Sequence, residues 1–243
     1  MGKHLKRLAA PRAWKLGRKE ATWTAKPAPG PHGVRESLPL LLVVRDILKY
    51  AATNREAKRI LNEGKITVDK KVRKAAKFPV GLMDILEVPT VKVRRIMLID
   101  EKGKLALREI SEESAKAKLC RIQNKTLVRG GDTQLNLHDG RNILLKKEEA
   151  GAYKAKDTIL LDLESGAIKA RIPFKVGALA FITGGAHKAK VARIEEIHVL
   201  RSPEPNVVTL GTDEGKFQTI QDYVFPVGEG ESAIPELKRQ VLP

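Results

Sequence analysis

The chain has a single cysteine, Cys120, two tryptophans and only 4% aromatic residues in 243 positions. One thiol excludes an internal disulfide and any multi-cysteine zinc site, and it fits a reducing compartment. Cys120 is expected to be a core thiol in an Ala/Leu-rich helical stretch. The scarcity of rings argues against a platform of stacked aromatics for reading single strands. Long apolar runs are missing as well: the longest, Leu38 to Val44, is broken by Pro39 and falls far short of a membrane-spanning helix. Acidic residues are in deficit, with 29 Asp+Glu against 46 Lys+Arg and a formal charge of +17. Such an excess exceeds what solubility requires and points to a polyanion; with no membrane segment, nucleic acid is the expected partner.

Signatures of catalysis are also missing. There is no phosphate-binding G-x-x-x-x-G-K-[ST], no G-x-G-x-x-G entering a helix, no H-E-x-x-H and no G-x-S-x-G. The five histidines, His4, His32, His138, His187 and His198, are never three or four apart, so each is expected at a surface or turn rather than on a metal. Leu137-His138-Asp139-Gly140-Arg141 reads as a turn. The expectation is a binding protein without catalytic residues, metal, cofactor or small-molecule substrate.

What the chain does have begins at Thr53. Thr53 and Glu56 have capping-box spacing, and Gly64 can end the helix that follows in a left-handed conformation. At about 100° per residue, Ala57, Ile60 and Leu61 share one face while Arg55, Lys58, Arg59 and Asn62 share the other. Lys65 to Val68 alternates as a strand, Asp69-Lys70-Lys71 makes a turn, and Val72-Arg73 begins the return, which adds Lys65, Lys70, Lys71 and Arg73 to the basic side. The apolar side can dock and the basic side is left outward, the arrangement expected of an RNA-docking surface.

Upstream, residues 1–36 read as a basic tail, disordered until it meets RNA. Seven cations, Lys3, Lys6, Arg7, Arg12, Lys15, Arg18 and Lys19, precede the first acid, Glu20, and a Pro/Gly-rich stretch follows at 26–33. Ser37 is expected to cap a core helix with Pro39 in its opening turn, and residues 37–90 to form one small α+β module. Residues 91–172 read as a mostly β central domain interrupted by a helix over 111–119. From 173 to 243 a small β-barrel is expected, in which Gly184, Gly185, His187, Lys188 and Lys190 share one turn; paired glycines let backbone amides approach a phosphate and the lysines supply charge. The fold class is therefore α+β and multidomain.

The run carrying Thr53, Glu56, Ala57, Ile60, Leu61, Gly64, Ile66 and Val68 resembles the small RNA-binding module first named from a bacterial small-subunit ribosomal protein. Residues 174–200 resemble the KOW motif, whose barrel is SH3-like, although that family usually has glycine where this chain has Ala189. The order of tail, module, β middle and KOW barrel, with Gly30 to Leu40, is similar to the e-type small-ribosomal-subunit protein four family of archaea and eukaryotes, and the lack of a long C-terminal extension to its archaeal form. The resemblance implies a structural ribosomal protein of the cytoplasm, binding small-subunit ribosomal RNA beside neighbouring ribosomal proteins. Two alternatives are an RNA-modifying enzyme carrying the same module, which would need an Arg-Leu-Asp motif the chain lacks, and a KOW-type transcription factor.

Overall fold

The computed structural model describes residues 4–212, 215–230 and 232–235. The chain divides into two compact units, one of residues up to Asp100 with Lys104–Lys118, the other of Glu101–Gly103 and Leu119 onward.

In the first unit, β1 (Leu5–Lys6) and β2 (Trp23–Thr24) form a short antiparallel ribbon. Then come β3 (Ser37–Pro39), α1 (Leu40–Leu42) continuing into a π-helical turn at Val43–Ile47, and α2 (Asn54–Asn62). The strands β4 (Thr67–Val68), β5 (Lys71–Val72), β6 (Pro79–Gly81), β7 (Ile85–Val88), β8 (Val93–Ile99) and β9 (Leu105–Glu109) follow. One antiparallel sheet has the order β5-β4-β7-β8-β9, and β3 pairs with β6 separately. The two helical segments lie against a core of Leu38, Leu40, Leu42, Val43, Val44, Ala57, Leu61, Ile66 and Leu86.

The expected helix start at Ser37 is corrected. Ser37 to Pro39 is extended and pairs with Gly81 to Pro79, the Ser37 hydroxyl donates to the Gly33 carbonyl at 2.7 Å, and the helix opens only after Pro39. Proline disfavours a helical conformation in the residue before it, so Leu38 goes into a strand.

The tail is corrected too: described from His4 on, it packs. Trp14 is 1% exposed and joins the core with Ala10, while Leu5, Ala13, Leu16 and Ala25 are partly buried against it. Backbone bonds from Leu105 to the Ala13 carbonyl (2.8 Å) and from Ala28 to the Lys77 carbonyl (2.8 Å) fasten it. A segment too polar to fold alone can still be ordered by one large ring entering a core made elsewhere.

The second unit carries β10 (Ala117–Leu127, its first two residues in the first unit), β11 (Thr133–Leu137), β12 (Asn142–Leu145), β13 (Thr158–Asp162) and β14 (Ile168–Ile172) in the order β12-β11-β10-β13-β14. The helix expected over 111–119 is a single 3-10 turn at Ser114–Lys116 running into β10, so Cys120 lies on a strand, buried. Ala, Lys and Glu favour a helix there, but pairing on both edges of β10 overrides that preference. A second antiparallel sheet follows, built from β15 (Ala178–Ile182), β16 (Val191–His198), β17 (Val207–Thr212), β18 (Gly215–Ile220) and β19 (Val224–Glu229) in the order β18-β17-β16-β15-β19. Ala178, Ala180, Ile182, Ala192, Ile194, Val208, Leu210 and Val224 form its core. β17 and β18 form a hairpin, Val207 facing Ile220 and Thr212 facing Gly215; Asp213 and Glu214 lie outside the described residues.

Candidate RNA interface

The helix α2 is built as its sequence dictates. Thr53 Oγ1 accepts from the Glu56 amide at 3.2 Å, and Glu56 Oε2 accepts from the amides of Thr53 (3.3 Å) and Ala52 (2.9 Å). Those backbone donors, Ala52 first, hold the exposed Glu56 carboxyl below the usual carboxylate range. Ala57 and Leu61 have no exposed surface, Ile60 is half-buried, and Arg55, Lys58, Arg59 and Asn62 face water. Gly64, at φ +72°, turns the chain into β4.

The hairpin turns on two residues, Asp69 at φ 51° and Lys70 at φ 62°, the geometry of a type I′ turn. Asp69 holds the turn from inside. Its Oδ1 accepts from the Ile85 amide at 3.0 Å and its Oδ2 from Lys118 Nζ at 2.7 Å. Lys118, without exposed surface, also reaches Asp84 Oδ1 at 2.5 Å, and Asp84 accepts from the Gly81 amide at 2.8 Å and meets His32 Nε2 at 3.0 Å. His32 is therefore buried rather than a surface or turn residue. This cluster ties four separate stretches of the first unit together. Burial, reinforced by the charge of Asp84, pushes the Asp69 carboxyl up against the pull of Lys118. For Asp84 burial acts upward too, but Lys118 and His32 outweigh it and hold the carboxyl far below its ordinary range.

The expected RNA-binding residues divide by what the fold does with them. In the tail Lys6, Arg12, Lys15 and Lys19 are exposed, and Lys3 lies outside the described residues. Arg7 is 5% exposed, donating from Nε to the Gly17 carbonyl at 2.5 Å and from Nη2 to Glu20 at 2.8 Å. Arg18 donates to the carbonyls of Leu8, Ala10 and Pro11 at 3.0, 2.8 and 3.0 Å. These two guanidiniums fold the tail upon itself, a use of the planar donor fork that lysine could not match.

In the module Arg55, Lys58 and Lys71 are exposed and make no ion pair among the described residues. Arg59 and Lys65 both engage Glu63, at 3.1 and 2.6 Å, and Lys70 engages Glu87 at 2.8 Å. The Lys65 ammonium and then Arg59 hold the Glu63 carboxyl below its usual range. Arg73 lies 4.5 Å over the Phe78 ring, a cation–π contact.

In the third group Gly184 is buried, and a Cβ there would stand 2.5 Å from the Tyr223 ring, so packing accounts for this glycine. Gly185 is exposed at φ +83°. His187 stacks on Phe217 with centroids 4.1 Å apart, and Lys188 and Lys190 are half-buried. Ala189 takes φ +65°, the left-handed region that glycine occupies more readily.

One further grouping has no signature in histidine spacing because strand pairing, not sequence, assembles it: Cys120, His138 and Asp139 bring ligand-type atoms within 4.8 Å of one another. Each has an internal use. The thiol donates to Asp139 Oδ2 at 3.6 Å, Asp139 pairs with Arg141 at 3.2 Å, and His138 Nδ1 accepts from the Arg121 amide at 3.2 Å. That last bond places the neutral ring's proton on Nε2, and the Arg141 guanidinium opposes a second cation, so the donor set fits an internal polar cluster better than a metal site.

An outward basic helix and hairpin on a sheet-built scaffold give a multi-module protein with a basic face of the kind that suits a polyanion such as RNA. Comparison with known families agrees: residues 39–86 match the S4 domain, 1–35 the RS4NT (NUC023) domain and 95–168 the ribosomal family S4e. The chain is 51% identical over 238 residues to the small ribosomal subunit protein eS4 of Methanocaldococcus jannaschii, covering 96% of each chain. It is 47% identical to that of Methanothermobacter thermautotrophicus, covering 96% of this chain and 95% of the relative. The crystal structure of the 30S ribosomal protein S4e from Thermoplasma acidophilum matches with a TM-score of 0.68 and 31% identity, over 80% of this chain and 96% of that one. The chain belongs to the S4e family of ribosomal proteins.

Proposed function

We propose that this chain is a structural, non-enzymatic component of the small ribosomal subunit in the cytoplasm, binding ribosomal RNA through phosphates and shape. The observation that carries the reading is the likeness along nearly the whole length to proteins named for that subunit. Arg55, Lys58 and Lys71, exposed and outside any ion pair among the described residues, support a phosphate contact from the module, and Lys6, Arg12, Lys15 and Lys19 one from the tail. Arg59, Lys65 and Lys70 are shared with carboxylates and contribute less. We divide the sequence into tail 1–36, module 37–90, central β segment 91–172, whose first strands β8 and β9 complete the module's sheet, and C-terminal domain 173–243; we read the last as a KOW-type barrel whose Gly185 to Lys190 turn makes a second RNA contact beside neighbouring ribosomal proteins.

Sedimentation tests this directly. Tagged protein should travel with small ribosomal subunits and remain there through moderate salt; sedimentation with RNA polymerase would favour the transcription-factor alternative. Modified nucleosides in ribosomal RNA incubated with the pure protein would favour the enzyme.

A further inference from the structure

The chain's two tryptophans, Trp14 and Trp23, are used in opposite ways. Trp14 is 1% exposed, whereas Trp23, nine residues later on β2, is 55% exposed. Pairing of β1 with β2 sets Trp23 directly opposite Lys6, so the indole and the ammonium stem share one face of the ribbon. On the neighbouring position the His4 ring stands 5.7 Å from the indole, tilted by 57°. Lys6 and His4 are exposed as well.

A ring of this size left half in water forgoes a large hydrophobic gain, and tryptophan, apolar in body with one polar edge, is enriched at contact surfaces. Its surroundings indicate what it contacts. The only acid among residues 1–35 is Glu20, and Arg7 occupies it at 2.8 Å. Within its own segment the ribbon carries an excess of cations over this one acid, which disfavours a basic or apolar peptide and favours a polyanion that also carries flat rings. RNA has both.

We propose that Trp23, flanked by Lys6 and His4, is a stacking site for one unpaired RNA base, with Lys6 on the adjoining phosphate. The proposal rests on the ribosomal reading above and adds to it a point at which the protein touches a base rather than the backbone. Every base has a π-face, so the contact selects an unstacked nucleotide more than its identity.

The test uses full-length protein, a transcript of small-subunit ribosomal RNA and a salt series. Trp23→Ala and Trp23→Leu should each weaken binding about tenfold or more, and Trp23→Phe by no more than about threefold, because a ring is kept. The slope of log K against log salt should stay at the wild-type value in all three, since every phosphate-binding cation is retained. Tryptophan emission of the wild type should be quenched on adding the transcript, and that quench should vanish in Trp23→Phe, where only the buried Trp14 reports. The quench reads the site without any stability argument, should a variant melt early. Trp23→Leu binding as tightly as wild type, or a quench persisting in Trp23→Phe, would overturn the stacking site while salt-dependent binding leaves the ribosomal reading standing. Wild-type protein that does not bind the transcript at any salt would remove both.

Discussion

The ammonium of Lys118, with no exposed surface, lies 2.7 Å from Oδ2 of Asp69, the first residue of the hairpin turn. The turn that presents Lys71 outward is thus held from beneath by a lysine 49 residues further along. Lys118→Met leaves the buried Asp69 and Asp84 without their cation and should destabilise the first unit by about 3–5 kcal/mol. Adding Asp69→Asn and Asp84→Asn should recover much of that loss, since neutral amides need no counter-charge. Chemical denaturation of the single and triple variants checks both statements; equal stability of Lys118→Met and wild type would mean the cluster is not formed.

The two carboxylates give opposite pH dependence. Asp84 is held far below the usual range, so its stabilisation is present above the unfolded value near about 3.9 and fades as pH falls toward the folded one. Asp69 is raised, so its contribution is greatest below about 3.9 and is lost as pH rises through the folded value. The stability gap between wild type and Asp84→Asn should therefore shrink on acidification, while that between wild type and Asp69→Asn moves in favour of wild type. Denaturation midpoints followed from neutral pH to below about 3.9 decide it; slopes of the same sign would contradict the assignment.

Arg55→Ala with Lys58→Ala should flatten the dependence of RNA affinity on salt, by about 0.7 to 0.9 in log–log slope for each phosphate that is no longer neutralised. Arg59→Ala should change it less, because that guanidinium is shared with Glu63. Thermal melting should be unaltered in all of them, the side chains lying on the solvent face of α2. An unchanged slope in the double variant would make this face merely solvated.

Trp14→Ala should cost about 3–5 kcal/mol. Trp14→Phe should cost less, since the indole Nε1 is buried without a hydrogen-bond partner among the described residues, and phenyl gives up no bond. Deleting residues 2–30 should lower the melting temperature of the first unit by removing Trp14, Ala10 and the bond to the Ala13 carbonyl. A deletion that melts like the full chain would restore the picture of a free arm.

Ala189→Gly relieves a left-handed backbone that costs an L-residue roughly 1–2 kcal/mol, against a smaller entropic loss. The net expectation is a gain of up to about 1 kcal/mol, read as a higher urea midpoint. A lower midpoint would show that burial of the Ala189 methyl, 2% exposed, outweighs the strain.

Local rules were sufficient wherever the determining groups are neighbours in the chain. The capping box of Thr53 and Glu56, the apolar stripe of Ala57, Ile60 and Leu61 and the glycine that ends α2 all act over one to three turns, and sequence alone placed them. The charge excess likewise needs no fold to be read. Tertiary structure decided what depends on distant partners. It turned Ser37 to Pro39 and Ala117 onward into strands because their edges found other strands. It buried Trp14 while leaving Trp23 open, and spent Arg7 and Arg18 on the tail itself. It also gathered Lys118, Asp69, Asp84 and His32 into one buried cluster, an arrangement set by sheet register and visible in no spacing along the chain. Charge is a sum over residues and is legible in their order, but whether a given cation meets solvent or a carboxylate is a question of three-dimensional neighbours.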